Sequence, residues 1–336
     1  MRYRFLGRSG LRVSELSLGT GNFGTRWGHG ADAAEAKAMY DTYREAGGNF
    51  IDTASNYQAG EAEEQLSDIL SADREDVVLA TKFTMGTSAS SGLHVTGNSR
   101  KAMVQSLEQS LRRLGTDRVD VFWAHAADES TSIEEIVRAF DDLIRAGKIL
   151  YAGLSNFPAW RVATGVTLAQ QQGWAAPLAI QVEYSLVERG AERELVPMAD
   201  AFGLSVLGYS PLGGGLLTGK YRRGATGRAQ SSISQFLHRE DDPAKAKVLD
   251  AVESVAAELE TTPERVALRW SMSKGVLPIV GPRSVDQLTS HLAAGELDIS
   301  GRQLDLLDEV SAPQLGYPHG MWSEHERVEK KRFAQP

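Results

Sequence analysis

Short apolar runs, rich in β-branched and aromatic residues, recur along the chain, and each has the length and composition of a buried β-strand. The eight runs cover residues 15–19, 49–53, 77–82, 119–125, 149–155, 179–185, 204–210 and 276–281. Residues 2–16, at the start of the chain, alternate between polar and apolar positions as the strands of a β-hairpin do. The pattern therefore predicts eight main strands and an N-terminal β-hairpin.

Segments with helical periodicity separate most of these strands. They cover residues 32–47, 61–70, 99–114, 132–147, 158–172 and 192–202, and further helices are predicted at 243–259, 263–274 and 285–294. Asp32 with Glu35, and Thr131 with Glu134, have the spacing of a capping box, which marks the beginning of a helix.

Near-continuous apolar strands, each followed by a helix, are typical of a parallel sheet covered by helices. Eight such units fit an α/β fold of the (β/α)8 TIM barrel type, and an open parallel sheet is the alternative. About sixty residues separate the seventh and eighth strands, so extra helices are expected there as well as at the C-terminus. No linker rich in Pro, Gly or Ser divides the chain, and we predict that residues 1–336 form a single domain.

The composition narrows the class of protein. With 336 residues, of which 42% are apolar and 24% charged, the chain is globular in character and long enough to bury a large core. Its net charge of -8 argues against nucleic acid or an anionic membrane as a partner. The absence of cysteine excludes disulfides, thiolate nucleophiles and cysteine-ligated metals. We see no signal peptide and no long apolar run, and so expect a cytoplasmic protein.

Polar residues stand at the ends of three neighbouring predicted strands. Asp52 lies at the end of the second strand with Tyr57 five residues later, Lys82 ends the third strand, and His125 ends the fourth. In a TIM barrel the active site lies at the carboxyl ends of the strands. Each residue alone has an ordinary structural explanation, but the four together predict a catalytic group.

The chemistry of this group is coherent. A tyrosine hydroxyl is a weak acid, and it donates a proton to a carbonyl oxygen more readily when a nearby ammonium stabilises the phenolate. Lys82 is placed to supply that charge, and Asp52 is placed to keep the lysine protonated. His125 is placed to orient the carbonyl. The four residues provide neither a nucleophile nor a metal cage, so a hydride donor is the natural partner and no metal is expected.

The order and spacing of Asp52, Tyr57, Lys82 and His125 resemble the tetrad of the aldo-keto reductases. Further motifs match this family: LGTGNFG at 18–24, GLSNF at 153–157, QVEYS at 181–185, YSPLGGGLLTGKY at 209–221 and IVGPRSVDQL at 279–288. The GGGLLTGKY segment is similar to the branch that includes bacterial reductases and potassium-channel beta subunits. The resemblance covers nearly the whole chain. It implies an enzyme that uses a nicotinamide cofactor to reduce an aldehyde or ketone, or to oxidise the alcohol, with Tyr57 as general acid/base.

The resemblance also implies how the cofactor is held. Ser155, Asn156 and Gln181 would bind the nicotinamide carboxamide, and Tyr209 would stack on the ring. The remaining cofactor contacts would come from Gly19, Thr20, Asp52, Ser210, Pro211, Leu212, Gly213, Gly215, Lys220, Gly281, Arg283, Gln287 and His291.

The segment 281–291 favours NADPH over NADH. Arg283 supplies a cation for the 2′-phosphate, and Ser284 with Gln287 has the spacing that begins a helix, whose amides would face the barrel mouth. Asp286 is the only acidic residue in the segment. We therefore predict NADPH as the preferred cofactor, with Arg283 as the main determinant, while use of NAD stays open.

Aromatic residues near the strand ends predict a substrate pocket for a hydrophobic or ring-bearing carbonyl or alcohol. The predicted lining residues are Phe23, Trp27, Tyr57, Trp123 and His125. The C-terminal tail around Tyr317 and Trp322 is placed to close over this pocket.

A dinucleotide-binding Rossmann fold is a competing interpretation, because Gly19, Gly21 and Gly24 spell G-x-G-x-x-G directly after a strand. The fingerprint should open a helix at once, whereas the sequence here continues as loop. This makes the barrel the better interpretation.

Two other functions are compatible with a barrel. One is a non-catalytic or slow barrel that senses the cofactor and regulates a partner. The other is a lyase that forms a Schiff base on Lys82, since a lysine of lowered pKa can attack a carbonyl. A homo-oligomer is also compatible with the sequence.

Overall fold

The computed structural model describes residues 1–88, 91–92, 94–223 and 241–321. In this part of the chain eight parallel strands pair side by side into a closed barrel, in the order β10-β3-β4-β5-β6-β7-β8-β9. The strands are β3 (Ser17–Gly19), β4 (Phe50–Asp52), β5 (Val78–Phe83), β6 (Val119–Ala124), β7 (Ile149–Ser155), β8 (Ala179–Glu183), β9 (Ser205–Tyr209) and β10 (Leu277–Val280). The predicted (β/α)8 TIM barrel is confirmed, and the open sheet and the Rossmann interpretation are wrong.

An N-terminal antiparallel hairpin precedes the barrel, as predicted. It consists of β1 (Tyr3–Phe5) and β2 (Arg12–Ser14), with Tyr3 opposite Ser14. Leu6 and Val13, both fully buried, belong to the same apolar cluster as residues at the beginnings of the barrel strands. The hairpin therefore closes the amino-terminal end of the barrel, and the carboxyl end is left for a site.

Helices pack around the barrel, and the first nine of them lie at the predicted positions. They are α1 (Ala33–Glu45), α2 (Glu61–Leu70), α3 (Arg100–Leu114), α4 (Ile133–Arg145), α5 (Ala159–Gln172), α6 (Leu195–Phe202), α7 (Pro243–Glu258), α8 (Pro263–Ser273), α9 (Val285–Leu292) and α10 (Gly301–Val310). The extra helices after the seventh barrel strand are α7 and α8, and α10 is the one near the C-terminus. Among the described helices, none is both long enough and apolar enough to cross a membrane. The single-domain organisation stays a prediction.

The predicted helix caps are partly wrong. Helix α4 is capped by Ser132, whose hydroxyl accepts the Glu135 amide at 3.1 Å, and not by the predicted Thr131. The Thr131 hydroxyl instead donates to Asp128 at 3.0 Å in the preceding loop. Because Thr131 is bound to Asp128 in the loop, the hydroxyl that caps the helix is that of the next residue, Ser132.

Trp123 was predicted to line the substrate pocket, but it lies in the apolar interior of the barrel and is fully buried. Its neighbour on the next strand is Gly153, and the two residues pair in register. A Cβ atom added at Gly153 would lie 2.2 Å from the indole ring, so only glycine leaves room for this tryptophan. Close packing of the two strands, and not substrate, accounts for both residues.

We expect Gly153→Ala to destabilise the protein by about 1–3 kcal/mol, the usual cost of overpacking a core. The cost should shrink when Trp123→Phe is combined with it, because the ring that clashes is then smaller. Urea denaturation of the single and double variants measures the coupling. Gly301→Ala is the matched control, because nothing lies within 4 Å of a Cβ added there. An equal cost of Gly153→Ala in both backgrounds would contradict this account.

Candidate active site

A cavity of about 770 Å³ opens at the carboxyl ends of the barrel strands. Asp52, Tyr57 and His125 contribute to its wall, as do Arg283 and His291 from the segment after β10. The cavity thus brings together residues that are more than two hundred positions apart in the chain. Its position at the carboxyl ends is where a TIM barrel carries its chemistry.

Lys82 connects the catalytic candidates. Its ammonium nitrogen lies 2.5 Å from Asp52 Oδ2 and donates to the Tyr57 hydroxyl at 3.1 Å and to the Thr53 carbonyl at 2.9 Å. The Lys82 and Asp52 side chains are 0% and 1% exposed. Strands β4 and β5 are neighbours in the barrel, which is why the two residues meet. All three N–H groups of the ammonium are therefore engaged.

The charge state of this pair follows from its partners. Burial alone would lower the pKa of Lys82, but the Asp52 carboxylate and the Tyr57 hydroxyl outweigh it and raise the pKa above the ordinary lysine value. For Asp52, burial raises the pKa above the ordinary aspartate value, and Lys82 and Gln181 offset only part of that shift. Both Asp52 oxygens accept hydrogen bonds, from Lys82 and from Gln181 Nε2 at 3.0 Å. The arrangement is that of an ionised carboxylate beside an ammonium.

Tyr57 is held at the cavity by an unusual turn. The two residues after it, Gln58 and Ala59, have φ angles of 50° and 54°, in the left-handed region that costs energy for non-glycine residues. The Gln58 side chain is fully buried, donates to the carbonyls of Gly21 and His29, and accepts the Trp27 amide at 2.8 Å. These bonds tie the loop after β3 to the turn that carries Tyr57.

His125 lies directly after β6, edge-on to Tyr57 with ring centroids 6.1 Å apart. Its backbone amide donates to Thr84 at 3.1 Å, and its Nδ1 atom is buried without a hydrogen-bond partner in the described residues. Burial first, and the Lys82 charge second, lower the pKa of His125 to about 3. The imidazole is therefore neutral at physiological pH.

The residues predicted to bind the nicotinamide carboxamide all line the cavity, but their amides already have protein partners. Gln181 donates to Asp52, as described above. Asn156 donates to the His125 carbonyl at 2.9 Å and to the Ser155 hydroxyl at 3.1 Å, and it accepts from the Tyr209 hydroxyl at 3.0 Å. These contacts fix the side-chain directions, and the carboxamide role itself stays a prediction.

The loop after β9 forms part of the cavity wall with its glycine-rich backbone, which lies close to Lys220. Gly214 and Gly215 have φ angles of 66° and 99°, and a Cβ at Gly215 would lie 2.7 Å from the Lys220 ammonium. A side chain at this position would fill the space that the lysine uses. Backbone amides and a cation at one glycine-rich turn suit an anionic group such as a pyrophosphate.

The segment after β10 brings further polar groups to the cavity. Ser284 caps α9 by accepting the Gln287 amide at 3.3 Å, as predicted, and Gln287 in turn accepts the Arg283 amide at 3.0 Å. His291 is 7% exposed, and its Nδ1 atom is buried without a hydrogen-bond partner among the described residues. Buried polar atoms normally have partners, so the unpaired histidine nitrogen fits a site for a polar ligand.

Most of the predicted cofactor residues line the cavity. They are Gly19, Asp52, Ser155, Asn156, Gln181, Tyr209, Ser210, Pro211, Leu212, Gly215, Lys220, Gly281, Arg283, Gln287 and His291. Thr20 and Gly213 are buried and are not part of the wall. The glycine-rich turn, the cations and the unpaired histidine nitrogen together fit a dinucleotide cofactor.

The predicted substrate pocket needs correction at three residues, Phe23, Trp27 and Trp123. Phe23, like Trp123, is fully buried in the core and does not line the cavity. Trp27 does not line the cavity either; it is 43% exposed, and its ring lies 6.4 Å from that of Tyr57. In the tail, Tyr317 is exposed, and Trp322 lies outside the described residues.

Several lining residues were not predicted, among them Asn22, Met85, Arg223 and Glu264. Met85 follows β5 by two residues, so the rule that loops after strands form the site could have found it. Glu264 lies in the first turn of α8, and nothing in its sequence context indicates the cavity.

The sequence of this chain matches the family model described as the aldo/keto reductase family over residues 15–312. The chain belongs to the aldo/keto reductase family. The family uses nicotinamide cofactors, and membership supports an oxidoreductase. The resemblance drawn from the tetrad and the motifs is thereby confirmed.

Curated relatives agree with this assignment. The chain is 34% identical to the uncharacterized oxidoreductase YrpG of Bacillus subtilis, over 92% of this chain and 96% of the relative. It is 32% identical to the aldo-keto reductase ausK of Aspergillus calidoustus, over 95% and 84%. It is 31% identical to an aryl-alcohol dehydrogenase [NADP(+)] of Phanerodontia chrysosporium, over 92% and 86%.

The neutral, buried His125 predicts how stability depends on pH. Its pKa is about 3 in the folded protein and about 6.5 in an unfolded chain, so the unfolded state binds the proton more readily. Stability from this group is fully present above pH 6.5 and is lost as the pH falls towards 3, by about 1.4 kcal/mol per pH unit within that window.

We expect His125→Gln to flatten this loss, since the titrating group is gone. Urea denaturation at pH 7, 6 and 5 for the wild type and the variant measures the difference. Between pH 7 and 8 the two proteins should show the same dependence. Identical losses between pH 7 and 5 would show that the histidine does not carry this linkage.

Proposed function

We propose that this protein transfers hydride between a nicotinamide cofactor and an aldehyde or ketone, or the corresponding alcohol, with Tyr57 as general acid/base. The observation that carries the proposal is the 3.1 Å contact from the Lys82 ammonium to the Tyr57 hydroxyl at the wall of a large cavity. The ammonium is itself held by Asp52, and the lysine side chain is fully buried.

The residues of the chain supply the proton and the orientation. In the reducing direction, the Tyr57 hydroxyl gives its proton to the carbonyl oxygen, and the phenolate that remains is stabilised by Lys82. The ring of neutral His125 lies beside Tyr57 and orients the oxygen by a hydrogen bond. A nicotinamide cofactor bound in the cavity supplies the hydride for the carbonyl carbon. Alcohol oxidation uses the same groups, with Tyr57 as the base.

The environment of Lys82 argues against a Schiff-base lyase. A lysine attacks a carbonyl only through a free, deprotonated amine. Here the carboxylate of Asp52 raises the lysine pKa, and all three N–H groups have acceptors within the protein. No contact in the described residues favours the cofactor-sensing alternative over the enzyme.

For the substrate we propose a ring-bearing carbonyl or alcohol. The exposed Trp27 ring stands 6.4 Å from Tyr57 and offers an aromatic face beside the proposed acid. A relative with 31% identity is named an aryl-alcohol dehydrogenase, which agrees with this class.

For the cofactor we propose NADPH, with NADH as a weaker alternative. Arg283 lines the cavity and makes no side-chain hydrogen bond or ion pair to another described residue. The guanidinium is therefore available for a phosphate. The name of one relative includes NADP(+), which supports the same choice. A cytoplasmic location and a homo-oligomer stay predictions.

We expect Tyr57→Phe to lower turnover by about 10² to 10⁴, the usual contribution of a positioned acid, and to leave cofactor affinity nearly unchanged. Lys82→Met should do similar harm. Nicotinamide absorbance with an aromatic aldehyde gives the rate, and fluorescence titration without substrate gives the cofactor affinity. Tyr151→Phe, at a tyrosine away from the cavity, is the control. Near-normal turnover of Tyr57→Phe would show that the acid is another residue.

We expect Arg283→Ala to weaken NADPH binding by about ten-fold to a hundred-fold, since a hydrogen bond to a charged group contributes roughly 1.5–3 kcal/mol. NADH binding should hardly change, because it has no 2′-phosphate. Calorimetric titration of both cofactors, with the exposed Arg302→Ala as control, tests this. Equal losses of affinity for NADPH and NADH would show that Arg283 does not discriminate between the two cofactors.

A further inference from the structure

An acidic side chain from α1 reaches the beginning of α9. Glu35 is the third residue of α1, and Asp32 caps that helix by accepting the Glu35 amide at 2.9 Å. The Glu35 side chain does not turn back to complete the predicted capping box. Its Oε1 atom instead accepts the amide of Val285, the first residue of α9, at 2.9 Å. The negative charge of Glu35 therefore lies at the amide of Val285, two positions after Arg283 in the chain.

The barrel repeats this arrangement at another pair of helices. Glu135 is the third residue of α4, which is capped by Ser132, and its Oε1 atom accepts the amide of Arg100, the first residue of α3, at 2.8 Å. In both cases a carboxylate satisfies a free amide at the N-terminus of the preceding helix around the barrel. The Glu135 contact therefore serves as a reference for how much such a contact stabilises the protein where no ligand is proposed to bind.

The surroundings of the two contacts differ. Glu35 and Val285 are not part of the cavity wall, but Val285 lies in the segment that contributes Arg283, Gln287 and His291 to it, whereas no residue of α3 or α4 lines the cavity. His291, 7% exposed with an unpaired Nδ1 atom, marks that wall as a place for a polar ligand. Under the proposed function, on which this inference rests, the 2′ position of the adenosine ribose binds there.

We propose that Glu35 sets how strongly this protein discriminates between NADPH and NADH. Its carboxylate opposes the charge of a 2′-phosphate at Arg283 and occupies an amide at the N-terminus of α9, the end of the helix that favours an anion. A bare 2′-hydroxyl meets no such repulsion and can donate to a carboxylate. Arg283 and Glu35 therefore have opposite effects on the affinity for NADPH. The ratio of NADPH affinity to NADH affinity is smaller than it would be with Arg283 alone.

Glu35→Gln removes the charge and keeps an oxygen that can accept the Val285 amide. We expect NADPH to bind about three-fold to thirty-fold more tightly, the range for removing one repulsive charge near a partly screened site. The gain should shrink at high salt. NADH should bind equally or slightly more weakly. Glu135→Gln makes the same change at the equivalent contact with the Arg100 amide and is the control. It should lower Tm by about as much as Glu35→Gln does and leave both affinities unchanged.

The measurement is calorimetric titration of the whole protein, without substrate, with NADPH, NADH and the fragments 2′,5′-ADP and 5′-AMP. A gain confined to NADPH and 2′,5′-ADP supports the proposal. Equal changes for both cofactors, or none for either, overturn it while leaving the proposed function intact. If the wild type binds neither NADPH nor NADH, the proposed function fails and this inference fails with it.

Discussion

The buried ion pair between Lys82 and Asp52 is the interaction on which the arrangement of the site depends. Removing two charges from water costs several kcal/mol per ion, and the cost is offset only when each group finds further partners. Thr53 and Gln181 provide those partners here. Because the pair occupies neighbouring barrel strands, closing the barrel also forms the pair. The remaining lysine N–H group then points to Tyr57, which connects the ion pair to the proposed chemistry.

The loops around this pair are held by contacts between consecutive βα units. Gln58 binds the loop after β3 to the turn of Tyr57, and Asn22 binds that loop to Gly281 after β10 at 2.7 Å. Glu35 joins α1 to α9 on the outer side. Each contact crosses from one unit to its neighbour, so the cavity wall is continuous around this part of the barrel. Such links pre-organise a site, because the loops need little further ordering when a ligand binds.

Much of the site was predictable, because a few chemical requirements constrain the residue types at strand ends. Asp52, Tyr57, Lys82 and His125 were predicted as a group, and the structure brings them together. The aromatic pocket was predicted less well, since position near a strand end does not say to which side a ring points. Trp123 points into the barrel interior and Phe23 packs in the core. Of the three rings, only the exposed Trp27 lies beside Tyr57, and it is not part of the cavity wall.

The sequence by itself determined the type and order of the barrel strands and of the helices between them, since hydrophobic periodicity and helix signals are local properties of the chain. It also determined which chemical groups stand at the strand ends. Only the tertiary structure decided which amides and carboxylates meet. The Glu35 side chain crosses to Val285, Gln181 binds Asp52, and Glu264 reaches the cavity wall from α8. These contacts join segments far apart in the chain, and their distances are set by the closure and stagger of the barrel, which local patterns do not encode.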